Sequence, residues 1–264
     1  MRMPRQLIPD PLLRPAYRLY EARILQKLDR NNFPQHVAVI MDGHRRYARN
    51  EGLHSYQESY RVGMEKLMDL LGWAGELDIP AVTGWLLSTD NLSRPSEELD
   101  PYFDVLIEMF DRLPTIATRL GYEVRFIGSL DLLPGRLTAS AKKAQELSQP
   151  SQRRLTIAVG YGGRQEIVDA CRELVAGIAE NTSPAEIASR ITPEAIAEHL
   201  YASDLPDPDL VVRTSGESRL SGFLLWQAAY SEYSFVDVFW PEFRRVDFLR
   251  VLRDFTLRER RFGQ

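Results

Sequence analysis

HVAVIMDG, residues 36–43, is the stretch on which the fold turns. A short apolar run ends abruptly in Asp42 and Gly43, and the basic stretch His44-Arg45-Arg46-Tyr47 follows at once. Such a run is short, β-branched and bounded by glycine, so it reads as a buried strand. Five more stretches share its character: AVTGWLLS (81–88), EVRFIGS (123–129), RLTIAVGYG (154–162), DLVVRTSG (209–216) and SFVDVFW (234–240). Helical patterns lie between them, over about 55–77, 97–120, 134–148, 164–180, 192–200 and 222–230, and a last one covers about 246–260. Thr192-Pro193-Glu194 has the form of an N-cap followed by proline at the first helical position. Strands alternating with helices predict an α/β protein, a mainly parallel sheet with helices on its faces. No repeat, low-complexity tract or linker interrupts the pattern. One domain over 1–264 is therefore expected, with 1–33 as an N-terminal helical extension.

The composition narrows the function. The 264 residues include 33 basic and 37 acidic side chains, a net charge of −4, which excludes a general pull toward nucleic acid or anionic lipid. Any bound anion must be held by local arginine clusters. One cysteine, Cys171, permits neither an intrachain disulfide nor a zinc site, and points to a reducing, cytoplasmic setting. Residues 1–15 carry three Arg and four Pro and lack the apolar core of a signal peptide. No stretch approaches the ~18 apolar residues of a membrane span. Pro15 to Leu28 is amphipathic, with Tyr17, Tyr20, Ile24 and Leu28 at helical spacing. That helix could pack on the body or make peripheral contact with a membrane.

The polar residues at the strand ends carry the chemistry. An acid at the end of a buried strand, such as Asp42, costs desolvation energy unless it is paired or metal-bound. Gly43 permits close backbone approach, and a helix begun by His44, Arg45 and Arg46 would attract anions to its free N–H groups. Helix capping would account for Asp42 as well. The second strand ends in STDNLSRP (88–95), where a capped turn explains the short polar residues but not Arg94. The fifth ends in RTSGESRLSG (213–222), two Arg and three Ser within nine residues. Arginine forks bind phosphate oxygens in pairs, and Ser hydroxyls serve the remaining acceptors. Glu232, near the sixth strand, could supply a second oxygen to a hard cation such as magnesium. The apolar stripe Tyr102, Phe103, Val105, Leu106, Ile107, Met109 and Phe110 is either core or the lining for an apolar substrate.

These residues resemble a known family. MDGHRRYAR is similar to the D-G-N-x-R-W signature of cis-prenyltransferases, the undecaprenyl diphosphate synthase family. STDNLSRP resembles its S-x-E-N-x-x-R-P segment, and RTSGESRLSGFLLWQAAYSE its R-T-S-G-E-x-R-x-S-x-F-L-L-W-Q segment with the downstream Glu. The closest resemblance is to the actinobacterial short-chain branch. It implies a central, mostly parallel six-stranded sheet flanked by helices, usually in a homodimer. It implies a magnesium-dependent transferase whose substrates are isopentenyl diphosphate and an allylic diphosphate. Asp42 and Glu232 would serve the metal, and Arg46 with the backbone around Gly43 would hold the allylic diphosphate. His44, Arg45 and Tyr47 belong to that same motif. Arg213, Arg219 and Ser221 would hold isopentenyl diphosphate. Ser88, Asp90, Asn91 and Arg94 form the loop over the reacting centre, with Asp42, Arg46 and Asn91 as the catalytic set. Arg261-Phe262-Gly263 resembles the R-x-G tail that reaches across the dimer.

The chain departs from the motifs in three places: His44 stands for Asn, Tyr47 for Trp, and Asp90 for Glu. His44 could be a general acid or pH-sensitive donor, or a plain hydrogen-bonding replacement. Leu86 occupies a position where the short-chain branch carries Leu and long-chain members a small Ala. Strand alternation would put it on the face of Ser88, one two-residue repeat below the reacting centre, ~7 Å. That implies a short product, of fifteen carbons. Irregular, branched coupling between prenyl units and a non-catalytic accessory subunit are the alternatives. The second is disfavoured because Asp42, Arg46, Arg213, Arg219 and Glu232 are all present.

Overall fold

The computed structural model describes residues 10–178 and 182–257. They fall into two compact units, one spanning Pro34–Glu242 and the other joining residues 10–33 to 243–257. Helix α1 (Asp10–Lys27) opens the smaller unit.

The larger unit begins with β1 (His36–Ile40), followed by α2 (His44–Glu51) and α3 (Tyr56–Glu76). Then come β2 (Ala81–Ser88), α4 (Ser96–Leu120), β3 (Tyr122–Ile127), α5 (Gly135–Leu147) and β4 (Arg153–Tyr161). The helices α6 (Gly163–Ala176), α7 (Pro184–Arg190) and α8 (Pro193–Glu198) lead to β5 (Leu210–Arg213) and β6 (Glu232–Phe235). The six strands form one sheet in the order β3-β4-β2-β1-β5-β6, and every pairing is parallel. β1 is buried throughout and β2 in all but its last residue, as expected of central strands covered on both faces. The chain leaves β1 for β2 on one side and reaches β5 on the other. This reversal opens a crevice at the carboxyl end of β1.

Helix α9 (Arg245–Thr256) returns to the smaller unit and packs against α1. There Arg244 Nη1 donates to the Tyr17 hydroxyl (3.0 Å), Arg245 pairs with Glu21 (3.4 Å), and the Arg250 guanidinium lies 5.1 Å from the Tyr20 ring centre. Among the described residues no helix is long and apolar enough to cross a membrane.

Three sequence expectations change. FLLWQAAY (223–230) is not an α-helix: it runs through turns into a 3-10 turn over Gln227–Tyr230. Ser221, Gly222 and Leu224 have φ of 52°, 91° and 44°, outside the helical region, while Phe223 lies flat against Trp85 in the core. Tertiary packing here overrides a helical pattern. Regular alternation in β2 also fails. Trp85 pairs with Ala158, but Leu87 pairs with Val159 and Ser88 with Tyr161, so the register shifts on both sides of Leu87. A bulge of this kind re-aims side chains, and face-sharing by Leu86 and Ser88 cannot be read from a period of two. Third, the short helix α7, absent from the sequence reading, is capped by Ser183, whose hydroxyl accepts from Glu186 N.

Candidate active site

A cleft of about 610 Å³ opens at the carboxyl ends of β1, β2 and β5. Six arginines and three carboxylates line it, an excess of positive charge suited to polyanions. A second hollow, of about 500 Å³ along Ala48–Tyr56, touches no strand end.

Asp42 sits at the centre of the cleft because β1 stops at Ile40 and Thr214, just past β5, fastens the chain there. The Thr214 hydroxyl accepts from Asp42 N (3.0 Å) and lies 2.8 Å from its carbonyl. The Asp42 carboxylate takes Arg213 Nη2 on one oxygen (2.9 Å) and Arg46 Nη2 on the other (3.3 Å). Burial pushes this carboxyl up, but the hydrogen bond and charge of Arg213, then Ser215 and Arg46, outweigh it and hold it below the usual carboxylate range. Gly43 turns the chain into α2 with φ 108°, and a Cβ there would lie 2.8 Å from Phe239. A side chain at that position is excluded on both counts. One turn into α2, Arg46 reaches back to Ser215, donating to its hydroxyl at 2.7 Å, and pairs with Glu217 at 3.0 Å.

Arg213 is buried, 4% exposed. Its Nη1 donates to Ser221 Oγ (2.9 Å) and to the Arg219 carbonyl, while its Nε is buried with no hydrogen-bond partner. A guanidinium held this firmly at a cleft wall is preorganised for an anion. Arg219 pairs with Glu217 at 2.5 Å. The loop carrying these groups is held in uncommon conformations, with φ of 81° at Ser215 and 52° at Ser221, which concentrate where a site over-determines its backbone. Below it, the buried Glu166 accepts from the Tyr161 hydroxyl (2.5 Å), Gln227 Nε2 (3.1 Å) and Tyr201 N (3.1 Å). Burial raises its pKa in spite of these bonds.

The third wall is the turn after β2. Ser88 Oγ accepts from Asn91 N (3.1 Å), and Arg94 Nη2 donates to Asn91 Oδ1 (2.6 Å). Burial, then the neighbouring Arg45, lowers the Arg94 pKa. Arg45 itself pairs with Glu98 (3.3 Å). Asp90 borders the cleft, whereas Tyr47 does not. His44 Nδ1 lies 3.2 Å from the Ser59 carbonyl, which can only accept, so the neutral ring carries its proton there. Burial pushes its pKa down to about 4, against that hydrogen bond and the charge of Asp42. At neutral pH the ring is neutral and held by that hydrogen bond, as a plain hydrogen-bonding replacement would be. The apolar wall is built by Tyr60, Trp85, Leu86 and Tyr102, and the Tyr102 hydroxyl donates to the Leu86 carbonyl at 2.7 Å.

The structure thus gathers Asp42, Gly43, His44, Arg45 and Arg46 with Ser88, Asp90, Asn91 and Arg94, and sets Arg213, Arg219 and Ser221 across from them. It does not bring Glu232 to Asp42. In a parallel sheet the start of one strand lies at the opposite edge from the ends of its neighbours, and Glu232 pairs with Leu210, which pairs with Val37. Some five residues of extended chain, ~16 Å, therefore separate the level of Glu232 from Asp42. Arg261 and Gly263 lie outside the described residues. Glu217 and Tyr60 were given no site role by the sequence reading. Glu217 stands inside the Arg-Ser cluster, and its place between Arg213 and Arg219 was the available signal.

For magnesium, the test is the donor set. Among the described residues no three His, Cys, Asp or Glu gather. Magnesium is commonly held by one or two carboxylates together with substrate phosphates. Asp42, a hard-oxygen donor among the arginines of the cleft, fits that arrangement.

Comparison with known proteins agrees with this geometry. Residues 40–263 match the family model described as Putative undecaprenyl diphosphate synthase. The chain is 50% identical to a (2Z,6E)-farnesyl diphosphate synthase of Thermobifida fusca, over 94% of this chain and 97% of that protein. It is 46% identical to a tritrans,polycis-undecaprenyl-diphosphate synthase (geranylgeranyl-diphosphate specific) of Methanopyrus kandleri, over 96% and 93%. Among solved structures, lavandulyl diphosphate synthase from Lavandula x intermedia in complex with dimethylallyl diphosphate superposes with a TM-score of 0.79 at 32% identity. That match covers 89% of this chain and 100% of the other.

Proposed function

Because the chain belongs to the cis-prenyltransferase, or undecaprenyl diphosphate synthase, family, we propose that it extends a short allylic diphosphate to a Z-prenyl diphosphate of fifteen carbons. The family reaction, condensation of isopentenyl diphosphate with an allylic diphosphate, makes it a prenyl-transferring enzyme. The observation that carries the site reading is the single charged network joining Asp42, Arg46 and Arg213 in an arginine-rich cleft.

In this reading Arg46 and the backbone at Gly43 hold the allylic diphosphate, and Arg213, Arg219 and Ser221 hold isopentenyl diphosphate. The allylic carbon–oxygen bond breaks with its electron pair leaving on the diphosphate. The isopentenyl double bond supplies the pair for the new carbon–carbon bond, and loss of a proton sets the cis alkene. Asp42 would hold magnesium, which neutralises charge on the departing diphosphate. The fixed guanidinium of Arg213 meets charge without reorganising, because packing and Asp42 already orient it. Asn91 and Arg94, tied to each other, stand over the reacting carbons, and the apolar wall excludes water from them.

Support for a short product comes from Leu86 in the cleft wall, with its carbonyl stapled to α4 by Tyr102. A growing chain meets packed side chains there, and overpacking costs ~1–3 kcal/mol. The arginine and serine set for isopentenyl diphosphate supports elongation rather than branched coupling. A second copy of this chain, with its Arg261–Gly263 tail, is the proposed partner. The test is incubation with magnesium, labelled isopentenyl diphosphate and a panel of allylic primers, with product length and double-bond geometry read out. Fifteen-carbon Z products, lost in EDTA and lengthened by Leu86→Ala, are expected. Activity undiminished in EDTA removes the metal role, and products of fifty carbons from the wild type remove the stop.

A further inference from the structure

Glu217 is an anomaly in a cleft built for anions. It lines the same space as the arginines, and its negative charge subtracts from the field that should draw in two diphosphates. A carboxylate in that place must contribute something that offsets the loss.

Fold stability is a weak candidate. Among the described residues Glu217 pairs only with arginines whose side chains are 40% and 62% exposed, and ion pairs of that kind contribute little. Geometry is more informative. One carboxylate oxygen takes Arg46 Nη1 at 3.0 Å and the other takes Arg219 Nη1 at 2.5 Å. The two arginines differ in what else holds them. Arg46 is anchored independently by Asp42 and by the hydroxyl of Ser215. Arg219 is the most exposed member of the network, and among the described residues Glu217 is the one carboxylate within ion-pair distance of it. A long, mostly exposed arginine loses its preferred direction when its single tether is cut.

The base of Glu217 is rigid. Ser215 and Gly216 both take left-handed conformations, with φ of 81° and 74°. Their N–H groups donate to Val238 and Val236 carbonyls at 2.7 and 3.0 Å. A Cβ at Gly216 would stand 2.7 Å from Asp237, so that turn is closely fitted. The sequence of support runs from the strand ends to Ser215, to Arg46, to Glu217 and so to Arg219. It connects an arginine of the allylic subsite to one of the isopentenyl subsite.

We propose that Glu217 is a positioning residue: braced on Arg46, it aims Arg219 at the diphosphate of isopentenyl diphosphate. This rests on the assignment of substrates given above. It predicts asymmetry, because Arg46 keeps its other anchors when Glu217 is removed and Arg219 does not.

The test uses the full chain with magnesium and compares wild type with Glu217→Ala and Glu217→Gln. Loss of a charge-assisted contact sets the scale: Glu217→Ala should raise the KM for isopentenyl diphosphate about tenfold, and the allylic KM by less than about threefold. kcat should fall less than KM rises, and the melting temperature should hold. Glu217→Gln, which keeps an acceptor oxygen, should recover part of the loss. Arg219→Ala should raise the same KM in the wild type and add almost nothing in the Glu217→Ala background. If no primer supports turnover, the assignment of the reaction fails separately. The same comparison is then read from the calorimetric Kd for isopentenyl diphosphate alone. An unchanged constant, an equal rise for both substrates, or an Arg219→Ala effect that persists in full without Glu217 overturns the proposal.

Discussion

Replacing Gly63 by alanine tests how α3 accommodates the histidine that this chain carries in its first motif. On an exposed helix face this exchange would stabilise by about 1 kcal/mol, since glycine is the poorer helix former. At Gly63 the added Cβ would stand 2.0 Å from His44 Cε1, 2.8 Å from Nδ1 and 3.0 Å from Nε2. The ring has little room to yield. Its Nδ1 is committed to the Ser59 carbonyl, and Tyr60 packs beside it with ring centres 5.4 Å apart. Overpacking of a filled interior costs ~1–3 kcal/mol, and displacing the Nδ1 contact adds about 1 kcal/mol. Set against the helix gain, a net destabilisation of about 1–3 kcal/mol is expected for Gly63→Ala. His44→Asn shortens the side chain and opens the space, so the same substitution should cost much less in that background. Urea unfolding followed by tryptophan fluorescence gives all four corners of the cycle. If Gly63→Ala is neutral in the wild type, or equally costly in the His44→Asn background, the steric account of this pair is wrong.

Two further outcomes follow from the site. Tyr102→Phe keeps the ring but leaves the Leu86 carbonyl in the bulge without its donor. Stability should fall by about 1–3 kcal/mol, and products should shift longer as the wall loosens; an unchanged length distribution separates the staple from the stop. Acid should unfold the protein early. His44 titrates near 4 folded against ~6.5 unfolded, so the unfolded chain binds more protons between those values. Stability is complete above ~6.5 and falls as the pH drops toward 4, by roughly 3 kcal/mol at most, and the depressed carboxyl of Asp42 extends the loss at lower pH. Buried His36, its pKa also lowered by burial, acts in the same direction. Urea midpoints across this range should show a smaller slope in His44→Asn, and an identical slope would exclude His44 as a source.

Most of the architecture was legible because it rests on local pattern. Six apolar runs separated by amphipathic stretches are a parallel sheet in almost any packing, and the polar residues just past Ile40, Ser88 and Arg213 could be assigned to one edge by topology alone. What failed required knowledge of register or of contacts across the fold. Glu232 was paired with Asp42 through the motif resemblance; the parallel pairing of β6 sets it at the start of its strand within this chain. FLLWQAAY has helical composition, yet Phe223 is drawn onto Trp85 and its neighbours turn left-handed to allow it. The bulge in β2 leaves no mark in AVTGWLLS. Nor does a sequence motif reveal that one acid, Glu217, touches two arginines.

The pairing of α1 with α9 bears on how the protein is made. These helices belong to one compact unit, yet more than two hundred residues separate them along the chain. A ribosome working at ~5–20 residues per second needs on the order of 10–40 s to pass from one to the other. During that interval α1 has emerged and the surface it will cover does not exist. Ile24, 4% exposed once folded, stands open to water and to other nascent chains. The smaller unit can form only once α9 has been made, long after α1 has emerged, so its folding waits on the stretch of chain between them.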